Sequence, residues 1–382
     1  MLKLIFWLFS GLMLYTYLGY PLLLMILAGF KSRPVKKALI TPSLSFVIAA
    51  HNEEMVIADK ICNTLSLDYP QDKLELIIVS DGSDDNTNSI IKNFRDEKIR
   101  FFHYAQRKGK PFALNLAVSE AKGDILIFSD ANVSYDKDAL RNLARNFNDE
   151  SVGCVCGDVL IKARGSSVNK AIIYYSRYDR WLRQKEGLIN TMLGADGAMY
   201  ALRRALYSEI PANTIADDLL ISMGAAEKGY RTVYEEDARG VEYTALTFNE
   251  ELKRKARVVA GGFQALRFLK VALNPFLRKM LFFQFISHKL LRWIAPLLIL
   301  SIAVLNIAIL RVDKGIYLIS LTLQVCFYLA ALLGMFFKLI SGKGKGIFYI
   351  PYYFCTTNLA AIVGICGLFI KKQTVTWKKA AR

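Results

Sequence analysis

The sequence predicts an α/β domain with a doubly wound, mostly parallel sheet, which is flanked by membrane helices on both sides. Three observations support this prediction. Short apolar runs alternate with helical patterns between residues 38 and 270, polar residues follow these runs, and four longer apolar stretches elsewhere carry no charge. Repeated strand–helix units are typical of a parallel sheet covered by helices on both faces.

Four apolar runs of strand length define the predicted sheet, at 43–50, 74–80, 99–105 and 124–130. They are apolar almost throughout, as expected of strands that are buried on both faces. The segments 51–65, 88–94 and 110–121 between them show apolar residues at helical spacing. In such sheets, ligands bind outside the carboxyl ends of the strands, so the polar residues that follow each run predict a binding site there.

Four uncharged apolar stretches predict membrane helices, at 4–30, 293–310, 316–337 and 346–370. A helix needs about 20 apolar residues to cross a bilayer. The first stretch is read as a retained anchor, because it is too long for the apolar core of a signal peptide and no small-residue cleavage site follows it. Four basic residues come directly after it, so the positive-inside rule predicts a cytoplasmic domain. The last stretch is expected either to be re-entrant or to cross against that rule.

The formal net charge of +17 is concentrated beside the apolar stretches. Residues 38–292 carry 35 basic and 32 acidic side chains, whereas residues 293–382 carry ten basic and one acidic. This pattern indicates charge that flanks a membrane and argues against nucleic-acid binding, which needs a basic face on the folded domain. The predicted division is an anchor at 1–37, the α/β domain at 38–270, interfacial amphipathic helices at 271–292 and a membrane region at 293–382.

Two common nucleotide-binding motifs are missing from the sequence. No G-x-G-x-x-G follows the first strand and no G-x-x-x-x-G-K-[ST] occurs, which argues against a dinucleotide oxidoreductase and a P-loop phosphohydrolase. The six cysteines are scattered, without a second pair or a nearby His to complete a zinc site, and are predicted to be buried reduced thiols.

Seven ordered motifs in the domain resemble those of one enzyme family. They are FVIAAHNEE, VSDGSDDNT, KGKPFALNLA, FSDAN, GADGAMYALRR, IADDLLISMGAAEKGYR and RKARVVAGGFQ. In this order they resemble the membrane-bound family 2 glycosyltransferases with the GT-A fold, the group that includes cellulose, chitin, hyaluronan and poly-N-acetylglucosamine synthases. The resemblance covers about residues 38–270 and implies a GT-A, Rossmann-like domain that binds a nucleotide-sugar.

The resemblance implies a metal site at Asp130 and Asn132, which stand where the family places its D-x-D motif. A carboxylate at a strand end is a hard oxygen ligand suited to Mg²⁺ or Mn²⁺. Such an ion would bridge the donor diphosphate and act as a Lewis acid. Because the second Asp of the motif is Asn132 here, the formal charge of the site is lower than in the family.

Further residues are assigned to the nucleotide-sugar by the same resemblance. Asp81 is expected to contact the base or ribose, and a ring at position 51 to pack near the base. Two lysines that flank Gly109 suit a phosphate-facing loop, and Arg257 would clamp the diphosphate. The full predicted set for the nucleotide-sugar is His51, Glu53, Asp81, Lys108, Lys110, Asp130 and Arg257. Processive members usually show Q-x-x-R-W, where this chain has Arg254 and Val258 in place of Gln and Trp.

Asp218 matches the catalytic base of the family, which deprotonates the acceptor hydroxyl. A base within hydrogen-bond reach of the nucleophile is what inversion by direct displacement requires. Asp217 is expected to raise the pKa of Asp218 by like-charge repulsion. The simpler interpretation of this pair is a helix cap with a first-turn acid. Asp196 and Asp217 are expected on the acceptor side, although Asp196 also fits an ordinary turn.

The sequence therefore predicts an inverting, metal-dependent transferase in the cell membrane, with its catalytic domain in the cytoplasm. The donor would be a nucleotide-sugar such as a UDP-sugar, and the acceptor a lipid-linked sugar or a growing glycan. The expected partners are membrane lipids and a further subunit that would export a polymer. Two alternatives remain: transfer to a polyprenyl phosphate, and a non-catalytic receptor for nucleotide-sugars.

Overall fold

Eight strands form one mixed sheet in a computed structural model, which describes residues 1–163, 170–244, 248–341 and 346–370. The strands are β1 (Leu44–Ala50), β2 (Leu74–Asp81), β3 (Ile99–Tyr104), β4 (Ile125–Ser129), β5 (Val133–Tyr135), β6 (Val152–Ala163), β7 (Met199–Arg203) and β8 (Arg231–Thr244). Their order in the sheet is β3-β2-β1-β4-β7-β6-β8-β5. The four predicted strands are confirmed as β1 to β4, with ends that shift by one residue at most.

The helices are α1 (Leu2–Leu14), α2 (Tyr20–Lys31), α3 (Ile57–Leu65), α4 (Thr87–Asn93), α5 (Lys110–Glu120), α6 (Ala139–Ala144), α7 (Lys170–Ile189), α8 (Asp217–Glu227), α9 (Phe248–Ala265), α10 (Lys279–Gln284), α11 (Leu291–Leu310), α12 (Gly315–Ser341) and α13 (Tyr349–Ile370). Single π-helical segments, Tyr15–Gly19 and Phe285–Leu290, join α1 to α2 and α10 to α11. Helix α3 begins six residues later than the apolar spacing predicts. The chain first turns at Asn52, whose φ of 56° no α-helix allows.

The first half of the sheet is parallel and the second half is mixed. Strand β1 pairs in parallel with β2 and β4, and β2 pairs in parallel with β3. Strand β7 is antiparallel to both β4 and β6. The parallel half brings the carboxyl ends of four neighbouring strands to one edge, which is the predicted position of the binding site.

Alternate residues of the parallel strands enter two separate cores, one on each face of the sheet. Val47 packs in one core with residues of α5 and α8, while Phe46 and Ile48 pack in the other with residues of α3 and α6. All three side chains are fully buried. Because both faces of the sheet are covered, the sequences of these strands are apolar almost throughout.

Among the described residues, four helical segments are long and apolar enough to cross a membrane: Leu2–Lys31, Lys279–Leu310, Gly315–Lys338 and Tyr349–Leu368. The second one starts at Lys279, so the segment predicted to lie at the interface continues directly into the predicted span. Segment 346–370 contains one helix of 22 residues, α13. The basic C-terminal residues that bear on its orientation lie outside the described residues.

A buried polar cluster fastens the first and second apolar helices to the domain. Tyr20 donates a hydrogen bond to Oε1 of Glu186 at 2.6 Å, and Nδ1 of His288 lies 2.7 Å from the same oxygen. His288 lies in the segment 271–292 that is predicted to be interfacial, and its side chain is only 3% exposed because it packs inside the protein. Burial of polar groups is tolerated here because they hydrogen-bond one another.

The prediction of buried thiols holds for only part of the chain. Cys154 and Cys156 on β6 are fully buried, whereas Cys62, Cys326 and Cys366 are exposed. Two of these exposed thiols lie on the apolar helices α12 and α13, whose outward faces pack against nothing within the described chain.

Candidate active site

The carboxyl ends of β1, β2 and β4 bring His51, Asp81 and Asp130 to one edge of the sheet. Nδ1 of His51 lies 2.7 Å from the backbone carbonyl of Asp81. A carbonyl oxygen only accepts, so this ring nitrogen carries the hydrogen. The ring is thereby held beside the end of β2.

Asp81 is 2% exposed and holds the loop that precedes α5. Its carboxylate accepts hydrogen bonds from the backbone N–H groups of Lys108 at 2.6 Å and Gly109 at 2.9 Å, and lies 3.8 Å from Nε of Arg107. Gly109 has φ of 98°, a conformation that suits glycine. The direct role of Asp81 here is to position this loop, and its contact with a nucleotide stays a prediction.

The two lysines beside Gly109 point to different surroundings. Lys108 is exposed, with its ammonium 4.3 Å from the centre of the Phe112 ring. Lys110 starts α5, and its ammonium lies 2.8 Å from Asp130 and 3.4 Å from Asp217. Burial disfavours the charged ammonium of Lys110, but the two carboxylates outweigh it and raise the pKa above its usual range. Lys110 is therefore a fixed cation between the ends of β4 and α8.

Glu53 is buried, at 6% exposure, behind this edge. Its backbone N–H donates to Oγ1 of Thr87 at 2.7 Å, which joins the end of β1 to the first turn of α4. Its position supports the loop geometry, and its assignment to the nucleotide-sugar stays a prediction.

Asn132 is oriented by Glu242, a residue that no sequence motif marks. Its Nδ2 donates to Oε1 of Glu242 on β8 at 2.9 Å. Burial, with the nearby carboxylate of Asp130, raises the pKa of Glu242. Glu242 comes close because β8 pairs with β5, where it stands opposite Val133. No local pattern in the sequence signals that long-range pairing.

Asp130 and Asn132 fit a divalent cation that shares its ligands with a substrate. The Asp130 side chain is 41% exposed and offers carboxylate oxygens at the open edge of the site. The described part of the chain contains no group of three or more His, Cys, Asp and Glu suited to a metal ion. Mg²⁺ usually takes one or two carboxylates together with substrate phosphates and waters, so an all-protein cage is not needed.

The pair Asp217 and Asp218 begins α8, but neither caps it. The cap position is Ala216, which makes no side-chain cap hydrogen bond. Instead, Oδ2 of Asp218 accepts from the N–H of Gly197 at 3.2 Å, and Oδ1 accepts from the N–H of Leu219 at 2.7 Å. The predicted cap is therefore wrong, whereas the predicted first-turn acid is confirmed, since both Asp217 and Asp218 lie in the first turn of α8.

Asp218 has a pKa that suits a base near neutral pH. Burial, followed by the carboxylate of Asp217, raises its pKa to about 6. The like-charge effect of Asp217 is confirmed, although burial contributes more. Lys110 opposes both effects by favouring the ionised form.

Asp196 lies in the turn that faces Asp218. It is exposed, and its Oδ1 accepts from the N–H of Ala198 at 3.2 Å, which is the geometry of an Asx turn. The turn is fastened to α8, because the N–H of Ala195 donates to Oγ of Ser222 at 2.9 Å. Asp196 thus serves the turn and still presents its side chain at the surface.

Arg257 reaches the site from α9. Burial lowers the pKa of its guanidinium, and the carboxylates of Asp217, Asp218 and Asp130 oppose that change. Lys255 on the same helix donates to Oη of Tyr353 at 2.8 Å and to Oγ1 of Thr357 at 3.1 Å on α13. Helix α9 therefore joins the site to the last apolar helix.

Residues 45–210 match the model of the family "Glycosyl transferase family 2". Among curated proteins, the chain is 27% identical over 229 residues to a poly-beta-1,6-N-acetyl-D-glucosamine synthase of Staphylococcus aureus, which spans 58% of this chain and 55% of that protein. It is 25% identical over 249 residues to the synthase of the same name from Staphylococcus epidermidis, spanning 62% and 60%. The chain thus matches little more than half the length of these relatives.

A solved structure shares the fold over nearly the whole chain. It is a mannosyltransferase from Pyrobaculum calidifontis, in complex with GDP-Man and Mn²⁺, with a TM-score of 0.71 and 22% identity. The alignment covers 98% of this chain and 100% of the other. The likeness therefore extends beyond the sheet to the apolar helices.

Proposed function

We propose that this chain, which carries a family 2 glycosyltransferase domain with the GT-A fold, is an inverting, metal-dependent enzyme. It moves a sugar from a nucleotide-sugar to a lipid-linked or polysaccharide acceptor at a membrane. The observation that carries the proposal is the position of Asp218. This carboxylate has a pKa of about 6, faces the exposed turn at Asp196, and lies with Asp217 beside the cations Lys110 and Arg257.

Asp218 is the base in this proposal. It accepts the proton of the acceptor hydroxyl while the hydroxyl oxygen bonds to the anomeric carbon of the donor, and the bond from that carbon to the diphosphate breaks. A pKa near 6 leaves the carboxylate ionised at neutral pH, yet basic enough to take a proton in the transition state.

The leaving diphosphate requires positive charge, which Lys110 and Arg257 supply. Both cations lie near the carboxylates of Asp130 and Asp217, so they are held in place before substrate arrives. Asp130 and Asn132 would hold Mg²⁺ or Mn²⁺, which when bound neutralises charge on the departing diphosphate. Glu242 accepts a hydrogen bond from Nδ2 of Asn132 and so fixes the orientation of this amide.

The donor is proposed to be a UDP-sugar, with a GDP-sugar as the competing choice. The first is supported by the relatives named for N-acetyl-D-glucosamine polymers, and the second by the structural neighbour solved with GDP-Man. We place the domain on the cytoplasmic face of the cell membrane, because Lys31, Arg33, Lys36 and Lys37 follow the first apolar helix.

Transfer to a polyprenyl phosphate is the second candidate, and one observation favours it. A Cβ at Gly194 in the acceptor-side turn would lie 4.0 Å from the ammonium of Lys289. Burial lowers the pKa of the nearby Arg183, but Asp179, with which it forms an ion pair at 2.7 Å, together with Cys156 and Asp196 raises it above the usual range. Two cations beside the acceptor turn suit an acceptor that carries phosphate.

Nucleotide release by the purified, detergent-solubilised chain tests the proposal. UDP-, GDP- and dTDP-sugars are supplied with Mg²⁺, Mn²⁺ or a chelator, and with membranes that contain acceptor lipids. Release of one nucleotide only in the presence of metal, together with a sugar-labelled lipid or glycan, supports the proposal. If donors bind but none is consumed under any of these conditions, the chain is a nucleotide-sugar receptor and the proposal is wrong.

A further inference from the structure

A basic cavity lies where the first and second apolar helices meet the domain. Its volume is about 230 Å³, and it shares no lining residue with the candidate active site. Four cationic side chains line it, namely Arg33, Arg231, Arg278 and Lys279. No Asp or Glu is among the described residues that line it. Like charges around one cavity repel each other, and a bound anion would relieve this repulsion.

Arg231 forms the buried floor of this cavity, at 5% exposure. Its Nη2 donates to the backbone carbonyls of Arg33 at 2.5 Å and Gly187 at 2.8 Å, so the guanidinium is fixed. The nearest carboxylate, Asp149, is 3.8 Å away. Burial, followed by the charge of Arg33, lowers the pKa of Arg231. The site therefore holds like charges close together before any ligand arrives.

The remaining three cations form no ion pair within the described ranges of the chain. Arg278 packs flat over Gly229, whose φ is 98°, and a Cβ there would overlap the guanidinium. Nε of Arg278 donates to the backbone carbonyl of Glu227 at 3.2 Å. Arg278 is thus held by backbone contacts, which leave its charge uncompensated.

The surroundings of the cavity combine these charges with exposed apolar side chains. Arg33 comes two residues after the end of α2, and Lys279 is the first residue of the second candidate span. Phe30 and Phe276 are 86% and 85% exposed, and Leu277, which lines the cavity, is 64% exposed. Large exposed apolar side chains at the ends of membrane helices are suited to contact acyl chains.

We propose that this cavity binds the phosphate headgroup of an anionic membrane lipid. The cations pair with the phosphate, while Phe276 and Leu277 contact the acyl chains. Basic pockets between membrane helices on the cytoplasmic side are suited to anionic headgroups. The apolar rim distinguishes this ligand from free phosphate.

The test is binding of short-chain phosphatidylglycerol to the full chain in detergent, measured by native mass spectrometry and by the shift in unfolding temperature. Short-chain phosphatidylcholine and inorganic phosphate are compared with it. R278Q/K279Q is expected to weaken phosphatidylglycerol binding at least tenfold. The control R267Q/K270Q removes two exposed cations from the preceding segment and is expected to leave binding unchanged.

Three results would overturn the proposal. The two double variants could bind the lipid equally, phosphatidylcholine could bind as tightly as phosphatidylglycerol, or inorganic phosphate could bind as tightly as the lipid, which would indicate a free-phosphate site. If R278Q/K279Q does not unfold cooperatively, the single variant K279Q is used instead. It is expected to bind phosphatidylglycerol three- to tenfold more weakly than the wild type, and unchanged binding would overturn the proposal. Nucleotide release plays no part in this readout, so the outcome is independent of the proposed activity.

Discussion

The backbone N–H of Gly197 donates a hydrogen bond to Oδ2 of Asp218 at 3.2 Å, which joins the exposed turn on the acceptor side to the first turn of α8. A Cβ at Gly197 would lie 3.4 Å from this oxygen, so the turn packs directly against the carboxylate. The proposed base is thus held from the side on which an acceptor would arrive.

The pH dependence of turnover is expected to report Asp218. Because the carboxylate must be ionised, kcat/KM should rise with pH through about 6 and then level off. In D217N the like charge beside Asp218 is removed, which lowers the pKa of Asp218. The rise of kcat/KM, the acidic limb of the pH profile, should therefore move to lower pH. An unchanged limb in D217N would show that Asp217 does not set the pKa of the titrating group.

The raised pKa of Asp218 also makes the free energy of unfolding depend on pH. The folded protein holds the proton of Asp218 more tightly than the unfolded chain, whose Asp has a pKa of 3.8. The stabilising contribution of this group is therefore present below pH 3.8 and is lost as the pH rises through about 6. D218N, which cannot ionise, should abolish this part of the dependence in unfolding experiments.

Lys110 and Lys108 offer a matched comparison on one loop. K110M removes the cation from beside Asp130 and Asp217, and kcat/KM should fall by about 10²- to 10³-fold. Since Lys110 favours the ionised form of Asp218, the acidic limb should also move above 6. K108M removes an exposed ammonium from the Phe112 ring and should cost less than about tenfold. Equal losses in the two variants, without a shift of the limb, would contradict this assignment.

Metal affinity is expected to depend on Asp130 and, through Asn132, on Glu242. Mn²⁺ binding in the presence of UDP or GDP can be followed by electron paramagnetic resonance of the free ion. D130N should weaken binding by at least about tenfold, and E242Q, which alters the acceptor that orients Asn132, by roughly tenfold. E236Q, whose side chain accepts from Gln184 on the outer surface, is the control and should leave binding unchanged. Full Mn²⁺ affinity in D130N would remove the proposed metal site.

Substitutions at two helical glycines allow the effect of close packing on stability to be distinguished from the effect of helix propensity. A Cβ at Gly262 on α9 would overlap the ring of Trp293. G262A should therefore overpack this contact, reduce the free energy of unfolding by about 1–3 kcal/mol and lower the unfolding temperature. Gly224 on α8 has no heavy atom within 4 Å of the corresponding position. G224A should therefore leave the unfolding temperature unchanged or raise it, by at most about 1 kcal/mol in stability. Equal effects would show that α9 does not pack on Trp293 as described.

The parallel half of the domain could be predicted from the sequence because its signals are local. Strands covered on both faces are apolar throughout, and their carboxyl ends are marked by His51, Asp81 and Asp130. These residues do meet at one edge of the sheet. The roles given to them still depend on the experiments above.

The rest of the site depends on pairings between distant segments. Glu242 reaches Asn132 only because β8 crosses to β5, and Lys110 bridges to Asp217 only because α5 and α8 flank the same edge. His288 lies in a segment that is predicted to be interfacial, and its buried contact with Glu186 joins it to a distant helix. Composition and spacing along the chain carry no information on such partners.

The most direct test of the central claim compares D218N with D72N, which changes an exposed Asp on the outer surface. Donor binding and nucleotide release are measured on the same preparations, with metal and acceptor membranes present. We expect D218N to bind the donor as the wild type does but to release nucleotide about 10²- to 10⁴-fold more slowly, whereas D72N should be unaffected. Release by D218N within about threefold of the wild-type rate would contradict the assignment of Asp218 as the base, and would favour a phosphate acceptor that needs none.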